Sequence, residues 1–277
     1  MQLNHQQKEI IDYYGTPQVV IAGAGTGKTT VMIQKIQQLI ASGHHAPQNI
    51  LALTFTNKAA NEMKERFASL SNAQAQPFFG TFHSFCLQFL KKTPFLDSVG
   101  LPKNFAIIDH SQQKETIQKL IKSNNITIGR SVKDTLSKIS AIKQFPHTQH
   151  AELLSDAPDD IQTLFTPYNQ YLKKTQCVDF DDLILHTYFI LSTQSEALSA
   201  MHKQYDYLIV DEYQDTNAIQ NDLCILLAQA HQNICVVGDF DQTIYSWRGA
   251  NVKNLLDFNQ YFPTAVTQKL EINYRST

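Results

Sequence analysis

The sequence predicts an α/β protein, a parallel sheet with helices on both faces, interrupted by a mainly helical inserted subdomain. Three observations predict it. Short apolar runs recur: PQVVIA (17–22), NILALTF (49–55), YDYLIVDE (205–212), NICVVGDF (233–240) and AVTQKLEI (265–272). Helix-spaced stretches separate the first of them, as crossovers between parallel strands require. Residues 103–175, in contrast, are rich in Gln, Lys, Asn and Ser and lack such runs.

Taken in order, 17–22 fits a buried strand, and 28–41 follows as a helix with Val31, Ile36, Leu39 and Ile40 at helical spacing. Residues 49–55 read as a second buried strand. NKAANEMKERF (57–67) reads as a helix with Asn57 as its N-cap and a weak Glu62–Arg66 pair. The character changes near Pro102. KETIQKLIK, VKDTLSKISAIK and DIQTLFTPYNQYLKK are amphipathic patterns of an all-helical insertion. In VDFDDLI (178–184), Asp179 is expected to N-cap a helix that returns to the core. The expected organisation is therefore 1–102 and 176–277 as two parts of one core, with 103–175 inserted.

The chain has 277 residues, 43% of them hydrophobic, enough for a sizeable core. A net charge of −2 shows no global basic character, though a strand-binding groove can rely on stacking and a few local cations. Cys86, Cys177, Cys224 and Cys235 form no C-x-x-C pair, which argues against a zinc or disulfide framework and for a reduced compartment. The N-terminus is polar, and no run approaches the roughly 18 apolar residues of a membrane span. The expectation is a soluble, cytoplasmic protein with no membrane partner. His44, His45, His147 and His150 read as solvated loop residues, and Asp156, Asp159 and Asp160 do not match a calcium loop.

The stretch AGAGTGKT, Ala22-Gly23-Ala24-Gly25-Thr26-Gly27-Lys28-Thr29, fits G-x4-G-K-[ST] except that Ala22 replaces the first Gly. Glycines let backbone N–H groups face phosphate oxygens, and the following helix adds its positive end. Lys28 would reach the β- and γ-phosphates of ATP, and the Thr29 hydroxyl would ligate Mg²⁺. The strand before and the helix after are the context this P-loop needs. A second site is required at the end of another strand, and YLIVDE supplies it. Asp211 would hold Mg²⁺, and Glu212 would orient or deprotonate the attacking water.

Seven stretches in order carry a resemblance: LNHQQ (3–7), AGAGTGKT (22–29), LTFTNKAA (53–60), GTFHSFC (80–86), VDEYQDTN (210–217), VGDFDQTIYSWRGA (237–250) and LEINYRST (270–277). Together they resemble the UvrD/Rep/PcrA-like superfamily 1 DNA helicases. The resemblance implies a RecA-like P-loop NTPase core and an ATP-dependent motor on single-stranded DNA and its junctions with duplex, moving 3′ to 5′. By position it implies that Gln7 reads the adenine edge and Tyr274 stacks on the base, beside Thr30. Gln242 and Arg275 would touch or sense the γ-phosphate. Phe55, Thr56, Asn57, Thr81 and His83 would contact single-stranded DNA, where Tyr245 and Trp247 would stack on bases near Arg248. Two aromatics two residues apart in an extended segment share a face, and stacking is indifferent to base sequence. Thr30 departs from relatives that carry an Arg there. Phe240 and Ile272 stand where relatives have polar residues.

The resemblance further implies a second RecA-like domain, past the crossover where this sequence ends, and repair or replication proteins as partners. Its cations contribute on the order of 10³–10⁵-fold in rate, so this chain alone is expected to bind ATP–Mg²⁺ weakly and hydrolyse it slowly. Two alternatives stand beside the motor: a helicase subunit of a recombination nuclease complex, and a non-enzymatic nucleotide-binding module.

Overall fold

The computed structural model describes residues 3–70, 75–240 and 253–274. From the N-terminus the chain runs α1 (His5–Asp12), β1 (Gln18–Ala22), α2 (Lys28–Ala41), β2 (Ile50–Thr54), α3 (Asn57–Leu70) and β3 (Phe78–Thr81). A mainly helical stretch follows: α4 (Phe82–Lys92), β4 (Ala106–Ile107), α5 (His110–Ser123), α6 (Val132–Lys143), α7 (His147–Ser155), α8 (Asp159–Lys174), β5 (Cys177–Val178) and α9 (Phe180–Thr193). The chain returns through α10 (Ser195–Gln204), β6 (Tyr207–Val210), α11 (Ala218–Ala228), β7 (Ile234–Gly238), α12 (Lys253–Leu256), α13 (Phe258–Tyr261) and β8 (Val266–Leu270). One compact unit is drawn from residues up to Phe82 and from Leu198 onward; His83–Ala197 form the second. The expected 103–175 insertion falls inside the second unit, which also takes in all of α4 but Phe82 and the whole of α9.

In the first unit six strands form a parallel sheet in the order β3-β2-β6-β7-β1-β8. Every residue of β2, β6 and β7 is buried, which is what a parallel sheet covered on both faces demands of its strands. Ile33 and Ile36 of α2 and Met63 and Phe67 of α3 pack with Val20, Ile209 and Val237 in one core. All the strands point the same way, so the loops leaving β1, β2, β6 and β7 lie along one sheet edge, where α/β folds bind ligands.

Lys35 does something its charge does not suggest. It is 1% exposed, and its ammonium donates to the carbonyls of Ile10 (2.9 Å) and Tyr13 (2.6 Å) at the end of α1. Burial lowers its pKa. The carbonyls left open at a helix C-terminus are natural partners for a cation, so Lys35 ties α1 to α2. The predicted cap of α3 is corrected by one residue. The Thr56 hydroxyl accepts the Ala59 N–H (3.1 Å), and Asn57 is already helical.

In the second unit α5, α6 and α8 pack around Ile117, Leu136, Ile139, Ile161, Phe165 and Tyr168. The three amphipathic patterns become these helices. β4 and β5 pair over two residues each, too short to leave a periodic signal. Asp179 caps α9 in a reciprocal capping box with Asp182, as expected. Unforeseen is Lys143, 1% exposed, whose ammonium lies 2.7 Å from both Asp179 and Asp182.

The histidines also need correcting. His45 is 5% exposed and bonds Asp206 (2.7 Å). His147 and His150 lie in α7 and not in a loop, and the buried His150 bonds the Phe145 carbonyl (2.8 Å). His186 of α9 has its pKa pushed down to about 4 by burial and by the Lys143 charge, with Asp179 opposing. Its Nδ1 is buried without a hydrogen-bond partner, so the ring is held neutral. A histidine whose pKa falls on folding contributes stability above its ordinary value of 6.5, and loses it as pH drops toward 4. Lowering pH from 7 to 5 is expected to cost on the order of 1–2 kcal/mol through this group. Urea midpoints at the two pH values check this, with His186→Leu expected to shrink the difference.

Candidate nucleotide site

β1 ends on the fully buried Ala22, so the missing first glycine of the pattern is a strand residue where a methyl group packs inward. The loop then needs its glycines. Gly25 and Gly27 have φ of 75° and 85°, a left-handed conformation that costs other residues energy. A Cβ on Gly27 would also stand 3.2 Å from the Gln7 amide nitrogen. The Thr26 hydroxyl donates to the Gly23 carbonyl (2.9 Å) and closes the turn. α2 starts at Lys28 with no side chain capping it, which leaves its first N–H groups directed at the loop's concavity.

The structure brings together the two halves read separately in the sequence. Lys28 Nζ stands 3.1 Å from both carboxylate oxygens of Glu212, at the end of β6. Glu212 has φ 52°, an uncommon backbone for a non-glycine residue, and its N–H donates to Asp211 Oδ1 (3.0 Å). Its Oε2 also accepts from the Gln214 amide at 2.7 Å. The buried Tyr213 anchors this corner through its hydroxyl to Asn221 (2.7 Å) and its ring against Phe258.

The residues suit a magnesium ion. Asp211 is 6% exposed, and burial and the adjacent Glu212 charge push its pKa up to about 7, with Lys28 opposing. Asp215, equally buried, is raised to about 6 by burial and Glu212, and its Oδ1 has no hydrogen-bond partner. Such a pocket of acids is short of positive charge. Mg²⁺ needs only one or two protein ligands beside water and phosphate oxygens. The Asp211 carboxylate and the Thr29 hydroxyl, at the second residue of α2, are of that kind. Among the described residues no group of three or more His, Cys, Asp or Glu is gathered for a different metal.

The residues expected at the adenine, Gln7 and Tyr274, are both tied to the glycine loop. Asn4 caps α1 in a box with Gln7, a D/N-x-x-E/Q pattern legible in the sequence. The buried Gln7 donates to the Thr26 carbonyl (3.2 Å). Asn4 Nδ2 reaches the Tyr274 hydroxyl (2.7 Å), and the Tyr274 N–H bonds the Gly25 carbonyl (2.9 Å). Gln6 and Glu271 exchange two further bonds. So Gln7, the glycine loop and Tyr274 are one connected group. Thr30 receives the Arg66 guanidinium at 3.4 Å.

Phe55 is half-buried, and Thr56 and Asn57 are exposed, at the start of α3. Thr81, at the end of β3, is buried. His83 is half-buried, with its ring edge-on to the exposed Phe180. Gln242, Tyr245, Trp247, Arg248 and Arg275 lie outside the described residues. Sequence reading missed Gln214 and Lys35; a lysine on an apolar helix face was the available signal for the latter.

Residues 3–263 match the family described as UvrD/REP helicase N-terminal domain. The chain is 40% identical over 280 residues to the ATP-dependent DNA helicase PcrA of Staphylococcus epidermidis, which covers 99% of this chain and 38% of that protein. It is also 40% identical over 281 residues to the PcrA of Staphylococcus aureus, with the same coverage. The chain thus spans less than two fifths of the length of these relatives. A parallel sheet with its P-loop lysine against a strand-end acid pair agrees with the match, and the chain belongs to the UvrD/REP helicase N-terminal domain family.

Proposed function

We propose that this chain is the ATP-binding part of a cytoplasmic DNA helicase that couples ATP hydrolysis to 3′-to-5′ movement on single-stranded DNA and unwinding at its junctions with duplex. The observation that carries the reading is the Lys28–Glu212 contact, which joins the phosphate loop to the hydrolytic acid. Residues 22–30 hold the triphosphate, and Gln7 and Tyr274 hold the base. On binding, Lys28 leaves Glu212 for the β- and γ-phosphate oxygens. Glu212, released, orients and deprotonates the attacking water. Nucleotide entry therefore exposes the base that acts on it. Mg²⁺, held by Thr29 and Asp211, would neutralise charge developing on the phosphates.

Gln242 and Arg275 take the γ-phosphate roles that the family resemblance gives them. Phe55, Thr56, Asn57, Thr81, His83, Tyr245, Trp247 and Arg248 form the strand-binding set. A second RecA-like domain completes the nucleotide cleft, consistent with relatives more than twice as long. The proposed insertion, 103–175 between the core parts 1–102 and 176–277, makes up most of the compact unit His83–Ala197, and repair or replication proteins are the proposed partners. The experiment uses Trp247, the sole tryptophan. Oligo-dT should quench or shift its fluorescence, and an ATP analogue should change the oligo-dT affinity. Unchanged fluorescence in a chain that still binds the analogue rejects the strand-binding half of the reading.

A further inference from the structure

We infer that Gln214 is a positioning residue for hydrolysis, holding the Glu212 carboxylate in place after Lys28 has left it. This rests on the reading of Glu212 as the hydrolytic acid. Gln214 is 1% exposed. Its Nε2 donates to Glu212 Oε2 at 2.7 Å, and its Oε1 accepts the Asp239 backbone N–H at 3.0 Å. Both ends of the amide are thereby fixed: a carboxylate takes only a donor, and a backbone N–H needs an acceptor. No other side chain of this length supplies both while staying neutral. Glutamate would set a second carboxylate against Glu212, and asparagine is one methylene shorter.

The neighbouring strand is shaped around this amide. A Cβ on Gly238 would stand 2.7 Å from Gln214 Oε1 and 3.0 Å from Leu255 Cδ2, so β7 must end on glycine for the bridge to fit. Glu212 has two described partners for its carboxylate, Lys28 and Gln214. The triphosphate removes the first. The second then holds the carboxylate, and through Asp239 fixes it to the backbone at the end of β7. Gln214 touches neither phosphate nor water in this role; it acts through Glu212.

Gln214→Met, which keeps the side-chain volume, and Gln214→Glu are the variants, assayed with ATP in single-turnover hydrolysis by excess protein. Each should slow the step at saturating protein by about 10²-fold, the usual effect of a misplaced catalytic group, with the Kd for ATP changed less than about threefold. In a Glu212→Gln background the same substitutions should change the residual rate by less than about threefold, because the two residues act as one. A crystal structure with adenylyl imidodiphosphate gives a readout independent of turnover: Lys28 on the phosphates and Gln214 Nε2 still on Glu212. Wild-type rates in both variants, equal losses in both backgrounds, or Gln214 turned away from Glu212 in that complex would each overturn the inference. If Glu212→Gln alone hydrolyses at the wild-type rate, the hydrolytic assignment of Glu212 fails, and the inference resting on it fails too.

Discussion

Glu212→Gln should bind ATP about fivefold more tightly than the wild type, while its hydrolysis falls by roughly 10²–10⁴-fold. The two effects come from one contact. Lys28 is held by both oxygens of Glu212, with side-chain exposures of 12% and 31%. A partly screened pair of this kind contributes about 1 kcal/mol, which the triphosphate must displace. Glutamine removes the competing charge, so the same phosphates meet a less occupied ammonium. It also removes the carboxylate proposed to accept the water's proton. Lys28→Ala moves the other way. It deletes a charge-assisted bond to phosphate of about 1.5–3 kcal/mol, and it leaves the Glu212 charge without a cation near an anionic ligand. Binding should weaken by at least about tenfold. Titration with a fluorescent ATP analogue separates the two, and the gain in Glu212→Gln should shrink at high salt. Equal weakening in both variants would mean that the Lys28–Glu212 contact does not compete with nucleotide.

The parts of the site that were legible in the sequence are those encoded locally. Ala22 to Thr29 must be contiguous to wrap a phosphate, and Asp211 and Glu212 must follow a strand, so order alone reveals them. The core strands announce themselves because parallel strands are apolar throughout. β3 has only two buried residues, and β4 and β5 two residues each, so they carry no such pattern. Thr56 and Asn57 are adjacent good caps, and only the hydroxyl's bond to Ala59 separates them. The larger misses involve distance along the chain. Lys35 and Lys143 each sit on the apolar face of a helix, among Val31, Ile36 and Leu39, and among Leu136, Ile139 and Ile142. α2 carries no acid, and the one acid of α6, Asp134, lies in its first turn bonded to Ser131, so neither helix explains its lysine. The partners lie 22–25 and 36–39 residues away. Gln214 is similar: it stands in a motif, but its second partner is 25 residues on.

Lys143→Ala should destabilise the helical unit by about 3–5 kcal/mol, the largest stability effect expected of any single side chain in it. Burial alone would discharge this lysine. The carboxylates of Asp182 and Asp179 outweigh that and hold its pKa above the ordinary value. Asp179 is further bonded by the Tyr168 hydroxyl (3.0 Å) and by the capping box with Asp182, so neither acid is free to turn toward water. Removing the ammonium leaves two buried carboxylates side by side. Against a domain stability of roughly 5–15 kcal/mol, that loss puts the unit near unfolding at room temperature. The cause is charge and not volume, and a second variant shows which. Asparagine caps a helix as well as aspartate does, so Lys143→Met with Asp179→Asn and Asp182→Asn keeps the cap and the packing while removing the three charges of this ion cluster. This triple variant should recover more than half of the lost stability in urea unfolding followed by circular dichroism. If it is no more stable than Lys143→Ala, the contribution of Lys143 is its aliphatic stem against the core, and the buried ions are incidental to it.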